Sequence, residues 1–135
     1  MTNKIHFIGI GGIGLSALAR FLKFRGFSIT GSDIKESPIT KTLQSEGIEV
    51  NVPHKAENIT DQDIVIYSAV IKDDNPEMIK AREKGMLVLS RKEALPFVLR
   101  GKKIYAVAGA HGKSTTSAML ASMIECSMII GAESK

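Results

Sequence analysis

Residues 5–8 are an apolar run, residues 15–24 have helical spacing, and between them lie Gly9, Gly11, Gly12 and Gly14. That order predicts strand, glycine turn and helix. Gly9, Gly11 and Gly14 stand in the G-x-G-x-x-G spacing. In that pattern one glycine makes the tight turn, one lets backbone approach a pyrophosphate, and one lets the helix pack close to the strand. The helix start then offers unpaired N–H groups and the positive end of its dipole to an anion. Gly11, Gly12, Ile13 and Gly14 are therefore candidates to present backbone N–H groups to phosphate. Glycine clusters also serve tight turns that hold no ligand, and it is the placement between strand and helix that favours a nucleotide site.

The rest of the chain repeats the alternation. Residues 4–8 predict a first strand and residues 14–25 a helix, with Leu15, Leu18, Ala19 and Leu22 turned to the sheet and Gly26 as its C-cap. A second strand over residues 27–30 runs into Gly31, Ser32 and Asp33. An acid about twenty residues past the glycine turn is where a ribose hydroxyl is commonly held, and a turn or helix cap is the other role open to Asp33. Ser37 and Pro38 start a second helix, with Leu43 inside, ending near Gly47. Residues 48–52 predict a third strand, leading to Pro53 and His54. That histidine is either a packing residue or a ligand contact on the side where open α/β sheets bind. Residues 63–67 predict a fourth strand, apolar enough to be buried on both faces, which leads to Ser68, Ala69 and Val70. Asp74, Asn75, Pro76 and Glu77 open a third helix over residues 78–84, residues 86–89 predict a fifth strand, and Ser90 and Glu93 stand in capping-box spacing. The fold class expected is α/β, a Rossmann-like, doubly wound and mostly parallel sheet.

Composition narrows the partners. The 135 residues carry a formal charge of +4 with lysines scattered, and two Tyr and five Phe leave little for base stacking. A nucleic-acid partner is not expected. Cys126 is alone, which excludes an intramolecular disulfide and suits a reducing compartment. The first strand begins without a signal-peptide pattern and no apolar stretch is long enough to span a bilayer. These features lead to the expectation of a cytoplasmic protein with no membrane partner.

A second loop follows a polar break at residues 101–103 and a predicted sixth strand at residues 104–108. It reads Gly109, Ala110, His111, Gly112, Lys113, Ser114, Thr115, Thr116, and a helical pattern through Ala118, Leu120, Ala121 and Ile124 comes next. The strict P-loop pattern needs glycine where Val107 stands. A shorter loop can still wrap a phosphate with backbone N–H groups, with Lys113 as a point charge and the hydroxyl of Ser114 or Thr115 on Mg²⁺. The expectation is an ATP site at the start of a second domain.

The ordered series of motifs resembles the Mur ligases. It consists of the glycine segment from His6 to Ser16, then Gly31-Ser32-Asp33, Ser68-Ala69-Val70, Asn75-Pro76-Glu77, Arg91, and the loop from Gly109 to Thr116. The match departs at Ala110 and Ser114 in the second loop and at Pro53, where the family has glycine. The resemblance implies a UDP-sugar-binding domain over residues 1–102, with contacts from Gly11, Gly12, Ile13, Gly14, Ser32, Asp33, His54 and Ser68. It implies the truncated start of an ATP-binding domain over residues 103–135, with ATP held by Gly109, Ala110, His111, Gly112, Lys113, Ser114 and Thr115. Lys113 would be catalytic and Ser114 a Mg²⁺ ligand. The implied reaction joins L-alanine to the carboxylate of UDP-N-acetylmuramate through an acyl phosphate, in peptidoglycan precursor synthesis. On this reading the chain is an inactive N-terminal piece of a longer enzyme. Alternatives are a sister ligase that adds a preformed peptide, an NAD(P)-binding Rossmann module, and a non-catalytic P-loop module. Oligomeric state is left open.

Overall fold

The computed structural model describes residues 4–100. Its elements are β1 (Lys4–Ile8), α1 (Ile13–Phe24), β2 (Ser28–Ser32), α2 (Pro38–Ser45), β3 (Glu49–Asn51), a 3-10 turn (Ala56–Asn58), β4 (Ile64–Tyr67), α3 (Pro76–Glu83), β5 (Leu87–Ser90) and α4 (Arg91–Leu99). The five strands form one sheet in the order β3-β2-β1-β4-β5, and every pairing is parallel. The expected strand at residues 104–108, the second loop and its helix lie outside the described residues. Among the described residues no helix is long and apolar enough to cross a membrane.

β1 sits in the middle, and its side chains alternate between two cores. Ile5 and Phe7 join one cluster with Leu15, Leu18, Ala19 and Leu22 of α1, Leu43 of α2 and Ala94 and Val98 of α4. Ile8 joins the other, with Val65 of β4 and Met78 and Ala81 of α3. A strand clad on both faces has no solvent side, which is why its sequence is an apolar run. The helical stripe of α1 lands where the spacing predicts, and all four of its apolar residues are buried.

β2 reaches further than the expected residues 27–30, because Gly31 and Ser32 continue the ladder opposite Phe7 and Ile8. Gly31, expected just past the strand, serves close packing. A Cβ there would lie 2.5 Å from Cδ1 of Ile10, which folds over the strand. The larger departure is between β3 and β4, where no α-helix forms. The connection carries only the 3-10 turn, which packs against α3.

Truncating the α1 stripe tests this packing. Leu18 is fully buried, so Leu18→Ala is expected to cost about 2–5 kcal/mol in urea unfolding. Phe24, at 86% exposure on the same helix, should tolerate alanine within about 0.5 kcal/mol.

Candidate functional site

Strand order reverses between β1 and β4. From the C-terminal end of β1 the chain turns to α1 over one face, and from β4 it turns to α3 over the other. Open α/β sheets bind ligands in the crevice such a reversal leaves. Here a cleft of about 780 Å³ lies there, lined by Gly11, Gly14, Ser68, Ala69, Ser90 and Arg91 among others. Its size is that of a small-molecule site.

The glycine loop is held by its own backbone. Gly9 adopts φ +84°, and the N–H groups of Gly9 and Ile10 both donate to the Ser32 carbonyl, at 2.9 and 3.0 Å. Gly12 N–H donates to Gly9 O at 3.1 Å, and Gly11 N–H donates to Asp33 Oδ2 at 2.7 Å. Of the four N–H groups expected to face phosphate, those of Gly11 and Gly12 are thus already engaged. The first helical bond runs from Ser16 N–H to Gly12 O at 2.8 Å, so Ile13, Gly14 and Leu15 have no intrahelical acceptor. No side chain caps α1, and no acid lies in its first turn. An uncapped helix start opening on a cleft offers free N–H groups and the positive end of its dipole to an anion.

Asp33 takes the capping role left open by the sequence. Oδ2 braces Gly11 and Oδ1 accepts Ile34 N–H at 2.7 Å. A Cβ on Gly11 would lie 2.6 Å from that Oδ2, so the second glycine makes room for the brace. The third glycine differs from expectation too. A Cβ on Gly14 would meet Cζ of Arg91 at 2.5 Å, not a strand. Gly14 makes room for a guanidinium. Ser68 stays at the cleft as expected; its N–H donates to Ile8 O at 3.1 Å.

Ser32 and His54 do not face the cleft. Ser32 is fully buried, and its hydroxyl donates to Oε2 of Glu77 at 2.5 Å. A carboxylate only accepts, so His6 Nε2, 3.4 Å from the same oxygen, carries its proton there. Having donated, Ser32 Oγ accepts from His54 Nδ1 at 2.9 Å. Oε1 of Glu77 accepts from Asn58 Nδ2 at 2.5 Å and Lys55 N–H at 3.2 Å. Burial pushes the Glu77 carboxyl up, but hydrogen bonds from His54, His6, Ser32 and Asn58 outweigh it and hold the group well below its ordinary value. Ser32 and His54 thus join a polar hub under the sheet.

Neither Glu77 nor Arg91 was singled out as a site residue by the sequence. Glu77 looked like a first-turn acid of α3, and it is that also, with its N–H donating to the Asn75 side chain at 2.9 Å. The available signal was its spacing: it lies four residues before buried Ala81 and beside buried Met78. His6 gave a second signal, a polar residue within an otherwise apolar central strand. The expected ATP-loop residues Gly109, Ala110, His111, Gly112, Lys113, Ser114 and Thr115 lie outside the described residues.

Glu77→Ala would strand several buried donors and should cost on the order of 3 kcal/mol. Glu77→Gln separates charge from shape. Because the folded pKa lies below the ordinary 4.5, the carboxylate's stabilisation is fully present above that pH and is lost as pH falls toward the folded value. The stability gap between parent and Glu77→Gln should therefore be flat above about pH 6 and narrow below pH 4.5 in urea titrations. A gap that widens on acidification would overturn the assignment.

Comparison with known proteins adds the following. The model of the Mur ligase family, catalytic domain, matches residues 4–103. The chain is 62% identical over 133 residues to a UDP-N-acetylmuramate–L-alanine ligase of Campylobacter jejuni, covering 98% of this chain and 31% of that protein. It resembles the crystal structure of UDP-N-acetylmuramate-alanine ligase from Thermotoga maritima with a TM-score of 0.85 at 41% identity, over 90% of this chain and 29% of that one. A Neisseria UDP-N-acetylmuramate:L-alanyl-gamma-D-glutamyl-meso-diaminopimelate ligase gives a TM-score of 0.83 at 32% identity, over 93% of this chain and 40% of that one. The chain spans about three-tenths of the length of the curated relatives it matches.

Proposed function

The chain belongs to the Mur ligase family, and we propose that residues 4–100 form the UDP-sugar-binding part of an ATP-dependent ligase. That ligase joins L-alanine to the carboxylate of UDP-N-acetylmuramate. The observation that carries the reading is the uncapped start of α1, opening on the cleft at the reversal of strand order. In this reading the pyrophosphate is held by the N–H groups of Ile13 and Gly14, with Gly11 and Gly12 shaping the loop and Ser68 on the opposite wall. Asp33 serves the ligand chiefly through the loop it braces, and retains lone pairs for a nucleoside hydroxyl.

The chemistry fits a two-nucleotide chain. A carboxylate is a poor acyl donor until its oxygen becomes part of a phosphate leaving group. Transfer of the γ-phosphoryl to that oxygen leaves ADP; attack by the L-alanine amine then forms the amide C–N bond, breaks the acyl C–O bond and releases phosphate and a proton. Lys113 and the loop around it, with Mg²⁺ on Ser114, are assigned to phosphoryl transfer from the sequence alone. A sister ligase that adds a preformed peptide is the second reading, since the likeness to the Neisseria ligase, with a TM-score of 0.83, is nearly as high as that to the alanine ligase. Both readings use the same UDP-sugar, so both predict the same cleft.

Gly12→Asp tests the site directly. Gly12 is the N-cap of α1, with φ −67° and ψ 144°, a conformation open to any residue, and the nearest atom to a new Cβ is Gly9 O at 3.4 Å. Aspartate there would supply the missing cap and complement the dipole, raising stability by a few tenths to about 1 kcal/mol. The same carboxylate would occupy the anion site. Calorimetry should show a protein that melts no lower than the parent and binds UDP-N-acetylmuramate at least about tenfold more weakly. Unchanged affinity in the stabilised variant would place the pyrophosphate elsewhere.

A further inference from the structure

We propose that Arg91 is a phosphate-binding residue of the cleft, its guanidinium held against the α1 start so that the pyrophosphate of the ligand completes it. The inference rests on the UDP-sugar reading of the site and adds a residue to it. Three observations converge. Arg91 Nε is buried and, among the described residues, is the buried side-chain nitrogen or oxygen without a hydrogen-bond partner. Buried donors are almost always satisfied, and one that is not needs a reason. The guanidinium lies over Gly14 so closely that even a methyl group there would collide with it, at 2.5 Å from Cζ and 2.6 Å from Nε. It is also a cation placed at the positive end of a helix dipole. No acid in the first turn of α1 offsets it, and Lys92 adds a second basic side chain to the lining.

Like charges brought together without a counterion are unfavourable, and the arrangement is resolved by an anion seated between them. Arg91 is also the first residue of α4, where a cation opposes that helix's dipole as well. The nearby carboxylate on α4, Glu93, does not neutralise it, since Oε2 of Glu93 accepts Ser90 N–H at 2.7 Å in the capping box. Arginine presents its N–H groups in a planar fork that matches two phosphate oxygens, which a lysine point charge does not reproduce. The ligand chemistry is therefore a diphosphate whose oxygens bridge Arg91 and the N–H groups of Ile13 and Gly14.

Arg91→Ala, Arg91→Lys and Gly14→Ala, each checked by thermal melting, are titrated with UDP by calorimetry and with uridine by NMR. Arg91→Ala should bind UDP roughly tenfold to a hundredfold more weakly while its uridine affinity is unchanged, and Arg91→Lys should recover only part of the loss. Gly14→Ala leaves every charge in place and favours the helix, yet it displaces the guanidinium, so it should lose UDP affinity without losing stability. Equal losses for UDP and uridine in Arg91→Ala would put Arg91 on the nucleoside and overturn the proposal. So would a parent-like UDP affinity in Arg91→Ala alongside a loss in Gly12→Asp; that outcome leaves the cleft reading standing. Parent-like UDP affinity in Arg91→Ala and Gly12→Asp alike would remove the cleft reading itself.

Discussion

The buried carboxylate of Glu77 is the interaction on which the shape of this domain depends. The connection from β3 to β4 has no α-helix to lay an apolar stripe on the sheet. It covers that face with irregular backbone, whose N–H groups, where they turn to the sheet, require acceptors. Glu77 supplies them, accepting from Lys55 N–H and Asn58 in the connection, and from His6 and Ser32 in the two strands beneath. One ionised group thereby ties α3, β1, β2 and the crossover. A buried charge is tolerable only when its hydrogen bonds are complete, and here the four donors named are in place.

The hub also sets the far side of the cleft. His6 is bonded to Thr30 across the β1–β2 pair at 2.8 Å, and Ser32 closes the same pair. The Ser32 carbonyl then receives the N–H groups of Gly9 and Ile10, which starts the glycine loop. Ser32 thus faces two ways. Its side chain belongs to the buried network and its backbone aims the loop. The path from Glu77 to the start of α1 is a chain of hydrogen bonds, two residues long at its narrowest.

The architecture was legible in the sequence because most of its signals are local. The apolar run of β1, the α1 stripe at Leu15, Leu18, Ala19 and Leu22, and the capping box at Ser90 and Glu93 each report on neighbours within one element, and the structure shows all three. The extension of β2 through Gly31 and Ser32 was not legible, since it depends on Ile10 folding over the glycine. The site was read less well for the same reason. Ser32 was placed on the ligand by the family resemblance and His54 because it follows a strand on the binding side, but which way such a side chain turns is decided by a partner 22 or 45 residues away. The spacing of Gly14 was read as room for the helix to pack against the strand, and the room serves a side chain instead. What fills that space, Arg91, lies 77 residues further on, and no periodicity connects them.

Two opposite treatments of charge therefore share one small sheet. Under β1 and β2 a carboxylate is buried with its donors complete, which rigidifies that region. At the ends of β1 and β5 a helix start and the Arg91 cation are brought together, and among the described residues Arg91 has no ion-pair partner. Each placement of that kind forgoes about 0.3–1 kcal/mol that a cap or an acid would supply, a loss that packing around Phe7 and Leu18 can absorb. Local rules are broken most often where a ligand completes them. The absence of an acid in the first turn of α1 is thus evidence of the same kind as the unpartnered Arg91 Nε. A sequence selected for stability alone would carry Asp or Ser at position 12; this one carries glycine, and leaves the dipole to whatever anion enters the cleft.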